Sequence, residues 1–540
     1  TVVISPLIAL MQDQVAALRA NGVAAGALSS AATPEETETL RAELRQGELR
    51  LLYMAPERLA NPSIGAWLAR AGVARLVIDE AHCISQWGHD FRPDYLRLGH
   101  LGTALRVPVA AFTATADEAT RDDIAERLFP RPPRIFLQSF DRPNLRLAFA
   151  PKSAPKQQLL DFVRARRGQS GIVYCATRRK ADEAAEQLRA EGVEALSYHA
   201  GLDGAVRAER QRQFTRGDGL VMAATVAFGM GVDKPDVRWV VQSGLPKSVE
   251  AYYQEIGRAG RDGAPAEALT LYGIDDIRRL RLQIDESPAP ADKKRRDHAR
   301  LQTLLALAES PRCRREVLLG YFGERFQGPC NTCDVCLSPP ERFDATRAVQ
   351  MALSAILRTG ERYGVEYLIQ VLRGEADDRV GRFGHDRLPT FGVGAEWTKS
   401  QWRTMFRQIF ALGFARIDAE RHNAWAVTPE GRAVLKEGGP VELRVDRAAP
   451  RSGKRGRGAA APPPLLKPQD EPLFAALKSL RTELAREANA PAYVIFPDRT
   501  LVEMATRRPA SLDALGALHG VGAAKLDRFG AAFLKAIRDN

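Results

Sequence analysis

The sequence lacks the features of a membrane-embedded or exported chain. No run of about 18 uncharged apolar residues occurs, the length a spanning helix needs, so no membrane partner is expected. No basic segment followed by an apolar one opens it, so no secretion signal is expected. Cysteine is scarce, six in 540 residues, and without an export signal disulfides are not its expected use. No repeat of solenoid length recurs. Acidic charge is in the minority: 66 Asp and Glu stand against 78 Lys and Arg, a net charge of +12. A basic excess attracts polyanions, nucleic acid being the usual one, although solubility alone would also account for it.

What is present is an ordinary globular balance, 45% hydrophobic and 27% charged, in a chain long enough for about three to five domains. It enters directly on an apolar run, Thr1 to Ser5, that reads as a buried strand, so further sequence upstream is expected. Up to about residue 285, short β-rich runs alternate with helical stretches. The strands expected are Val2–Ser5, Leu51–Met54, Leu76–Asp79, Val107–Thr113, Gly171–Cys175, Leu220–Ala223 and Trp239–Gln242. Ala116–Leu128 and Arg179–Glu191 read as helices. That alternation predicts parallel sheets with helices on both faces. Asp141-Arg142-Pro143-Asn144 marks a boundary, giving an α/β lobe over 1–140 and a second over 141–288. Residues 289–340 are helical and then Cys-rich. Residues 341–445 mix helices with two short strands, Ala415–Asp418 and Ala424–Thr428. A Pro/Gly/Arg/Lys-rich basic linker over 446–470 leads to a small helical domain, 471–540.

Asp79-Glu80-Ala81-His82 closes the apolar strand Arg75–Ile78, where open α/β sheets place ligands. Two adjacent acids suit nucleotide hydrolysis: Asp79 is assigned to Mg²⁺, which takes few protein ligands, and Glu80 to polarising the attacking water. A solvated strand end is the bland alternative. Thr113-Ala114-Thr115 follows another strand with hydroxyls suited to coupling neighbouring loops. Gln254 to Gly263 carries Arg258 and Arg261, three apart, which on a helix would share one face. Such an arginine fork suits phosphate.

Taken together, these motifs resemble the superfamily 2 helicases and specifically the RecQ family, over nearly the whole chain. Ser5 to Gln14 is similar to motif Ia, Tyr53 to Leu59 to motif Ib, Asp79 to His82 to motif II and Thr113 to Thr115 to motif III. Ile172 to Cys175 resembles motif IV, Ala224 to Pro235 motif V and Gln254 to Gly263 motif VI. The piece most specific to RecQ is Cys83 to Tyr95, an aromatic-rich loop interleaving Trp87, Phe91 and Tyr95 with His89 and Arg92. Aromatics stack on unpaired bases while cations meet phosphate; a stripe packed into the core is the alternative. The resemblance implies an ATP-dependent 3′-to-5′ DNA helicase of recombination and repair, with a place in the SOS response to DNA damage. It implies a catalytic set of Asp79, Glu80, His82, Arg258 and Arg261, with Arg261 as arginine finger. Asp79, Asp233, Gln254, Arg258 and Arg261 would meet ATP and Mg²⁺. Ser5, Pro6, Trp87, His89, Phe91, Arg92 and Thr225 would meet DNA, single-stranded and forked.

RecQ helicases also carry a glutamine motif and a G-x-x-x-x-G-K-[ST] phosphate loop. Neither is found here; the single Gly-Lys pair, Gly453-Lys454, sits in the linker. Without that cradle, the first lobe is read as incomplete and this chain is expected to hydrolyse ATP weakly or not at all.

Cys313 precedes Cys330, Cys333 and Cys336. Four clustered thiolates suit structural Zn²⁺. An iron–sulfur cluster is the rival, although the usual close fourth Cys-Pro is missing. Cys83 and Cys175 read as ordinary buried residues. By position, 341–445 resembles a RecQ winged helix, with Arg416 and Arg421 on a candidate wing; a helical packing domain is the alternative. Pro491 to Leu501 resembles the signature of an HRDC domain. In it, the Gly520/Gly522 turn could present backbone N–H groups and Lys525 to a DNA phosphate, or serve packing alone. Linker residues Arg451, Lys454, Arg455 and Arg457 would add salt-sensitive affinity. The fold expected is therefore α/β: two RecA-like lobes, a helical Cys₄ module, a winged helix and an HRDC domain. A monomer of the bacterial cytosol is expected, with single-strand-binding protein and topoisomerase as partners implied by the resemblance. Two other readings stay open, a non-catalytic DNA-binding scaffold and an iron–sulfur helicase of another branch; an RNA helicase fits the Cys-rich and terminal pieces less well.

Overall fold

The structure is a computed structural model. It describes all of the chain except residues 29–32, 86–90, 229–233, 419–423, 446–465, 468 and 489–490.

Two parallel sheets organise the first half. The first contains β1 (Val2–Ile4), β2 (Ala25–Leu28), β3 (Leu51–Met54), β4 (Leu76–Ile78) and β5 (Val109–Ala111), in the order β2-β3-β1-β4-β5. The run that opens the chain is thus a central strand: Val2 pairs with Leu52 on one side and Leu76 on the other. The second sheet contains β6 (Leu145–Pro151), β7 (Gly171–Tyr174), β8 (Ala195–Tyr198), β9 (Val221–Ala224), β10 (Trp239–Gln242) and β11 (Ala266–Tyr272), in the order β6-β11-β10-β7-β9-β8. Strands β7, β9 and β10 are buried at every position. Near-continuous apolar runs are what a parallel sheet covered on both faces demands.

All seven strands expected in this half from sequence are present. Val107–Thr113 shrinks to Val109–Ala111, because β5 lies at a sheet edge and the chain then turns to give the Phe112 carbonyl to the amide of Ala81. Four strands of these two sheets escaped the sequence reading. Strands β2 (Ala-Gly-Ala-Leu) and β8 (Ala-Leu-Ser-Tyr) have no β-branched residue to mark them. Strand β6 follows the Asp-Arg-Pro-Asn segment that reads as a boundary, and β11 follows motif VI directly.

Past the second sheet come the helices Ala291–Glu309, Arg314–Tyr321 and Asp334–Leu337; Cys313 and Cys333 cap the last two, Cys336 lies in the last, and Cys330 lies in the loop between them. The helices Thr346–Arg358, Val365–Arg373 and Lys399–Ala411 follow, the last opened by a capping box between Thr398 and Gln401. Two antiparallel ladders complete this part: β12 (Arg342–Asp344) with β15 (Glu442–Arg444), and the expected hairpin of β13 (Ala415–Asp418) and β14 (Ala424–Val427). The last helices, from Glu471–Glu487 to Ala523–Asp539, enclose an apolar cluster of their own around Leu477, Phe496, Leu501 and Phe533.

Candidate active site

The carboxyl ends of the strands in both sheets converge on one cavity of about 390 Å³. From the first lobe it is lined by Pro6, Leu7, Glu80, His82 and Cys83; from the second by Tyr174, Thr225, Gln254, Glu255 and Arg258, among others. Residues separated by well over a hundred positions thus share one space, as the order of motifs suggested.

Asp79 stands directly after β4. Its amide donates to the Ile4 carbonyl at 2.8 Å, tying it to the central strand. Ser5 Oγ donates to Asp79 Oδ2 at 3.1 Å, and the Glu80 amide donates to Oδ1 at 3.0 Å. Both carboxylate oxygens are therefore oriented. Burial nonetheless pushes the Asp79 acid upward, against these two hydrogen bonds. A cation beside it would reverse that desolvation effect, and a carboxylate on a strand end fits a hard divalent ion. Glu80 has φ of 49°, so the chain turns sharply and aims its side chain into the cavity. His82 is buried, with Nδ1 3.0 Å from Thr113 Oγ1 and 3.3 Å from Glu80 Oε2. Thr113 Oγ1 also accepts from the Thr115 amide at 3.4 Å, and Thr115 Oγ1 accepts from Gln254 Nε2 at 3.2 Å. Motifs II, III and VI form one polar chain across the lobes.

The helix Val249–Ile256 begins at Ser248, whose hydroxyl accepts the Ala251 amide. It ends before the arginines: Gly257 is its C-cap, and Arg258 and Arg261 lie in the turn that follows. A shared helix face therefore does not bring them together; the turn does. Gly260, with φ of 61°, makes that turn possible, and a Cβ there would lie 2.5 Å from Asn144 Nδ2. Arg258 lines the cavity; Arg261 is exposed and is not among its lining residues, although both arginines act electrostatically on Tyr174 of the cavity wall.

The four cysteines converge. The Sγ atoms of Cys313, Cys330, Cys333 and Cys336 all lie within 4.8 Å of one another, and Cys330 and Cys336 are 3.9 Å apart. A tetrahedral ion with bonds of about 2.3 Å separates its thiolates by about 3.8 Å. The donor set therefore fits one zinc ion; thiolates at the corners of an iron–sulfur cluster would stand farther apart. Asp334, between two of these cysteines, pairs with the buried Arg314 at 2.9 Å and accepts the Phe149 amide of β6 at 3.1 Å.

Comparison with known proteins agrees with this arrangement. Family models match in the same order: DEAD/DEAH box helicase over 1–124, helicase conserved C-terminal domain over 154–263, RecQ zinc-binding over 274–337, RQC domain over 339–452 and HRDC domain over 470–537. An ATP-dependent DNA helicase RecQ from Pasteurella multocida is 42% identical over all of this chain and 85% of its own length. That of Haemophilus influenzae is 42% identical, with 87% of its length covered, and that of Bacillus subtilis 37%, with 89% covered. The chain belongs to the RecQ family.

The two sheets are thus the RecA-like lobes of a RecQ-family protein, followed by its zinc-binding module, winged helix and HRDC domain. Of the residues expected to meet DNA, Pro6 and Thr225 line the interlobe cavity, and Arg92 donates to the Pro6 carbonyl at 3.3 Å. Ser5 is fully buried with its hydroxyl on Asp79. Phe91 lines a neighbouring cavity of about 870 Å³ with Lys247, Lys293, Arg296 and Arg300. Trp87, His89 and Asp233 lie outside the described residues, as do Arg421 and the linker arginines and lysine. Lys525 sits apart from the cleft, on the HRDC helix Ala523–Asp539, with Nζ 6.0 Å from the Phe496 ring centroid. Cys83 and Cys175 are buried, as expected.

Sequence reasoning passed over two groups. Glu255 is buried against the cavity and accepts from Gln242 Nε2; burial pushes its carboxyl up to about 7. Its position inside motif VI was the available signal. The Asp-Arg-Pro-Asn segment reads from sequence as a mere boundary. In the structure, Arg142 donates to the carbonyls of Ala259 and Gly260 at 2.9 Å, and Asn144 Nδ2 to those of Gly260 and Ala264 at 2.8 Å. Arginine and asparagine beside a proline are the only local hint.

Proposed function

We propose that this chain is the body of an ATP-driven 3′-to-5′ DNA helicase acting in recombination and repair, divided into domains as the sequence suggests. One observation carries the reading: Glu80 and His82 of one lobe share a cavity with Gln254 and Arg258 of the other. A nucleotide held there would feel both lobes, so its hydrolysis would change their spacing and the grip on a DNA strand. In this reading Asp79 holds Mg²⁺, which supplies charge neutralisation at the phosphates. Glu80 orients the attacking water, and Arg258 and Arg261 stabilise charge on the transferred phosphoryl group. His82, Thr113, Thr115 and Gln254 relay between the lobes. Zn²⁺ on the four cysteines is structural. Pro6, Thr225, the aromatic loop with Trp87, His89, Phe91 and Arg92, the winged helix and Lys525 contact DNA, chiefly through its backbone.

The finer part of the reading concerns these 540 residues alone: they hydrolyse ATP weakly, because no G-x-x-x-x-G-K-[ST] is among them. The first lobe supports this. Its edge strand β5 and the following Phe112 are open, and the extended stretch Ile135-Phe136-Leu137 has all three side chains more than half exposed. Exposed apolar groups of this kind mark surface that further chain or a partner would cover.

The test is single-stranded-DNA-stimulated ATP hydrolysis by this chain, by a form extended upstream through a phosphate loop, and by that form carrying Glu80→Gln. Turnover by the unmutated extended form alone, with DNA binding by all three, is expected. Full turnover by the chain as it stands would overturn the account of its nucleotide site. DNA binding without turnover in any form would favour the scaffold reading.

A further inference from the structure

The zinc-binding module reaches the arginine turn through the segment that joins the two lobes. Glu324, just past the helix Arg314–Tyr321, accepts the Phe140 amide at 2.8 Å and the Ser139 hydroxyl with its other oxygen. Phe322 lies flat on Phe140, centroids 4.4 Å apart and planes 9° from parallel. Tyr253, from the helix that leads to the arginines, packs edgewise on Phe322 at 5.1 Å, and its hydroxyl donates to the Phe140 carbonyl at 2.9 Å. Phe140 is thereby held at its amide, its carbonyl and its ring.

The same module grips the next few residues. Arg315 pairs with Asp141 at 3.1 Å and donates to the carbonyls of Arg142 and Leu145, each at 3.0 Å. The Arg142 guanidinium then donates to the carbonyls of Gly257, Ala259 and Gly260, at 3.4, 2.9 and 2.9 Å. These carbonyls bracket Arg258 and lead directly into Arg261. A further contact, Tyr321 hydroxyl to Glu250 at 2.6 Å, fixes the start of the same helix. Every link is a hydrogen bond, ion pair or stacked ring between side chains or backbone of modest freedom. Packed side chains and hydrogen-bond networks of this kind are the physical route by which one site can bias another.

We infer that Arg315, Phe322 and Glu324 are positioning residues that set, through Phe140 and Arg142, the orientation of the Arg258–Arg261 turn. The zinc-binding module then governs phosphate chemistry without touching a phosphate. The inference rests on the proposed role of Arg258 and Arg261. It also gives the Asp-Arg-Pro-Asn segment a task beyond connection: Arg142 is the part of the connector that meets the turn.

The experiment is hydrogen–deuterium exchange on the full chain, read in peptides covering 136–145 and 253–263. Glu324→Ala removes both acceptors. Glu324→Gln keeps a carbonyl for the Phe140 amide and an amide that can donate to the Ser139 oxygen. Arg315→Lys keeps the charge but not the fork that spans a carboxylate and two carbonyls. Exchange about tenfold faster in both peptides is expected for Glu324→Ala and Arg315→Lys, with near-normal exchange in Glu324→Gln. Zinc content and exchange in the HRDC helices serve as controls for folding. Unchanged exchange at 253–263 in both disruptive variants, with intact zinc, would overturn the inference. So would failure of Glu324→Gln to restore it. Whether the turn serves ATP is read separately, from turnover by an Arg258→Ala variant of the extended form, so the two ideas fail independently.

Discussion

Gln254 Nε2 donates to Thr115 Oγ1 at 3.2 Å, joining the helix that leads to the arginines of the second lobe to the loop after β5 of the first. Thr115 is buried, and its neighbour Thr113 bonds His82 beside Glu80. A neutral hydrogen bond of this kind contributes about 1 kcal/mol, or roughly fivefold in an equilibrium. Gln254→Ala, in the form carrying a phosphate loop, is expected to lower DNA-stimulated ATP turnover about fivefold or more while leaving single-strand affinity unchanged. Steady-state hydrolysis titrated with DNA, beside fluorescence anisotropy for binding, checks both halves. Equal losses in binding and turnover would assign Gln254 to DNA instead of to coupling between the lobes.

Glu255 makes stability depend on pH in a predictable direction. Burial raises its carboxyl from 4.5 to about 7, against the opposing hydrogen bond from Gln242 and the charge of Arg258. The folded chain therefore binds the proton more tightly than the unfolded one. Stability from this group is present below about pH 4.5 and is lost as pH rises through 7. The difference amounts to about 3 kcal/mol between those limits. Glu255→Gln should flatten the profile: the urea midpoint of wild type should fall relative to the variant between pH 5 and 8, both values lying around that window. Parallel profiles would mean that Glu255 is charged throughout and balanced by Arg258.

The parts of this site that were legible in sequence are those whose chemistry is contiguous. Asp79 and Glu80 close an apolar strand, and three of the cysteines fall within seven residues. Apolar runs likewise announced β1, β4, β7 and β10, because strands buried on both faces need them. What escaped are contacts between distant segments. Glu324 meets Ser139 across 185 positions and Arg315 meets Arg142 across 173. Nothing in a single sequence pairs such residues, since each side chain alone is an ordinary surface charge. The arginine spacing misled for a related reason: the helix ends at Ile256, so Arg258 and Arg261 lie in a glycine turn, not on a helical face.

The cysteine cluster should be required by the second lobe as well as by its own turn. Asp334 is held in place by the Cys333 to Cys336 turn and carries both Arg314 and the Phe149 amide. Releasing the ion would loosen that turn and leave Arg314, which is buried, without its carboxylate. Cys330→Ser is expected to lower zinc from about one ion per chain to near none and to destabilise the lobe by about 3 kcal/mol or more. A fall in Tm on the order of 10 °C would accompany this. Metal analysis with calorimetry reads both. Loss of zinc at unchanged Tm would mean that the module folds independently of β6, and recovery of iron in place of zinc would revive the cluster reading.

Arg481 separates the internal stability of the HRDC domain from its docking. The residue is fully buried; it pairs with Asp498 at 2.7 Å, donates to the Phe496 carbonyl at 2.9 Å, and reaches Asp218 of the second lobe at 3.4 Å. Thr482 adds a second contact to Asp218, also at 3.4 Å. Removing the guanidinium would leave the buried Asp498 without its counter-charge, which destabilises by about 3–5 kcal/mol. Asp218 is partly exposed, and its loss leaves the internal pair intact. Arg481→Met is therefore expected to unfold the last seventy or so residues selectively, whereas Asp218→Ala frees a folded domain. In circular dichroism, only Arg481→Met should show an early melting phase. In small-angle scattering, Asp218→Ala alone should show a larger radius of gyration with undiminished helix content. If Asp218→Ala scatters like wild type, the docking is held by other contacts, and Arg481 serves the HRDC core alone.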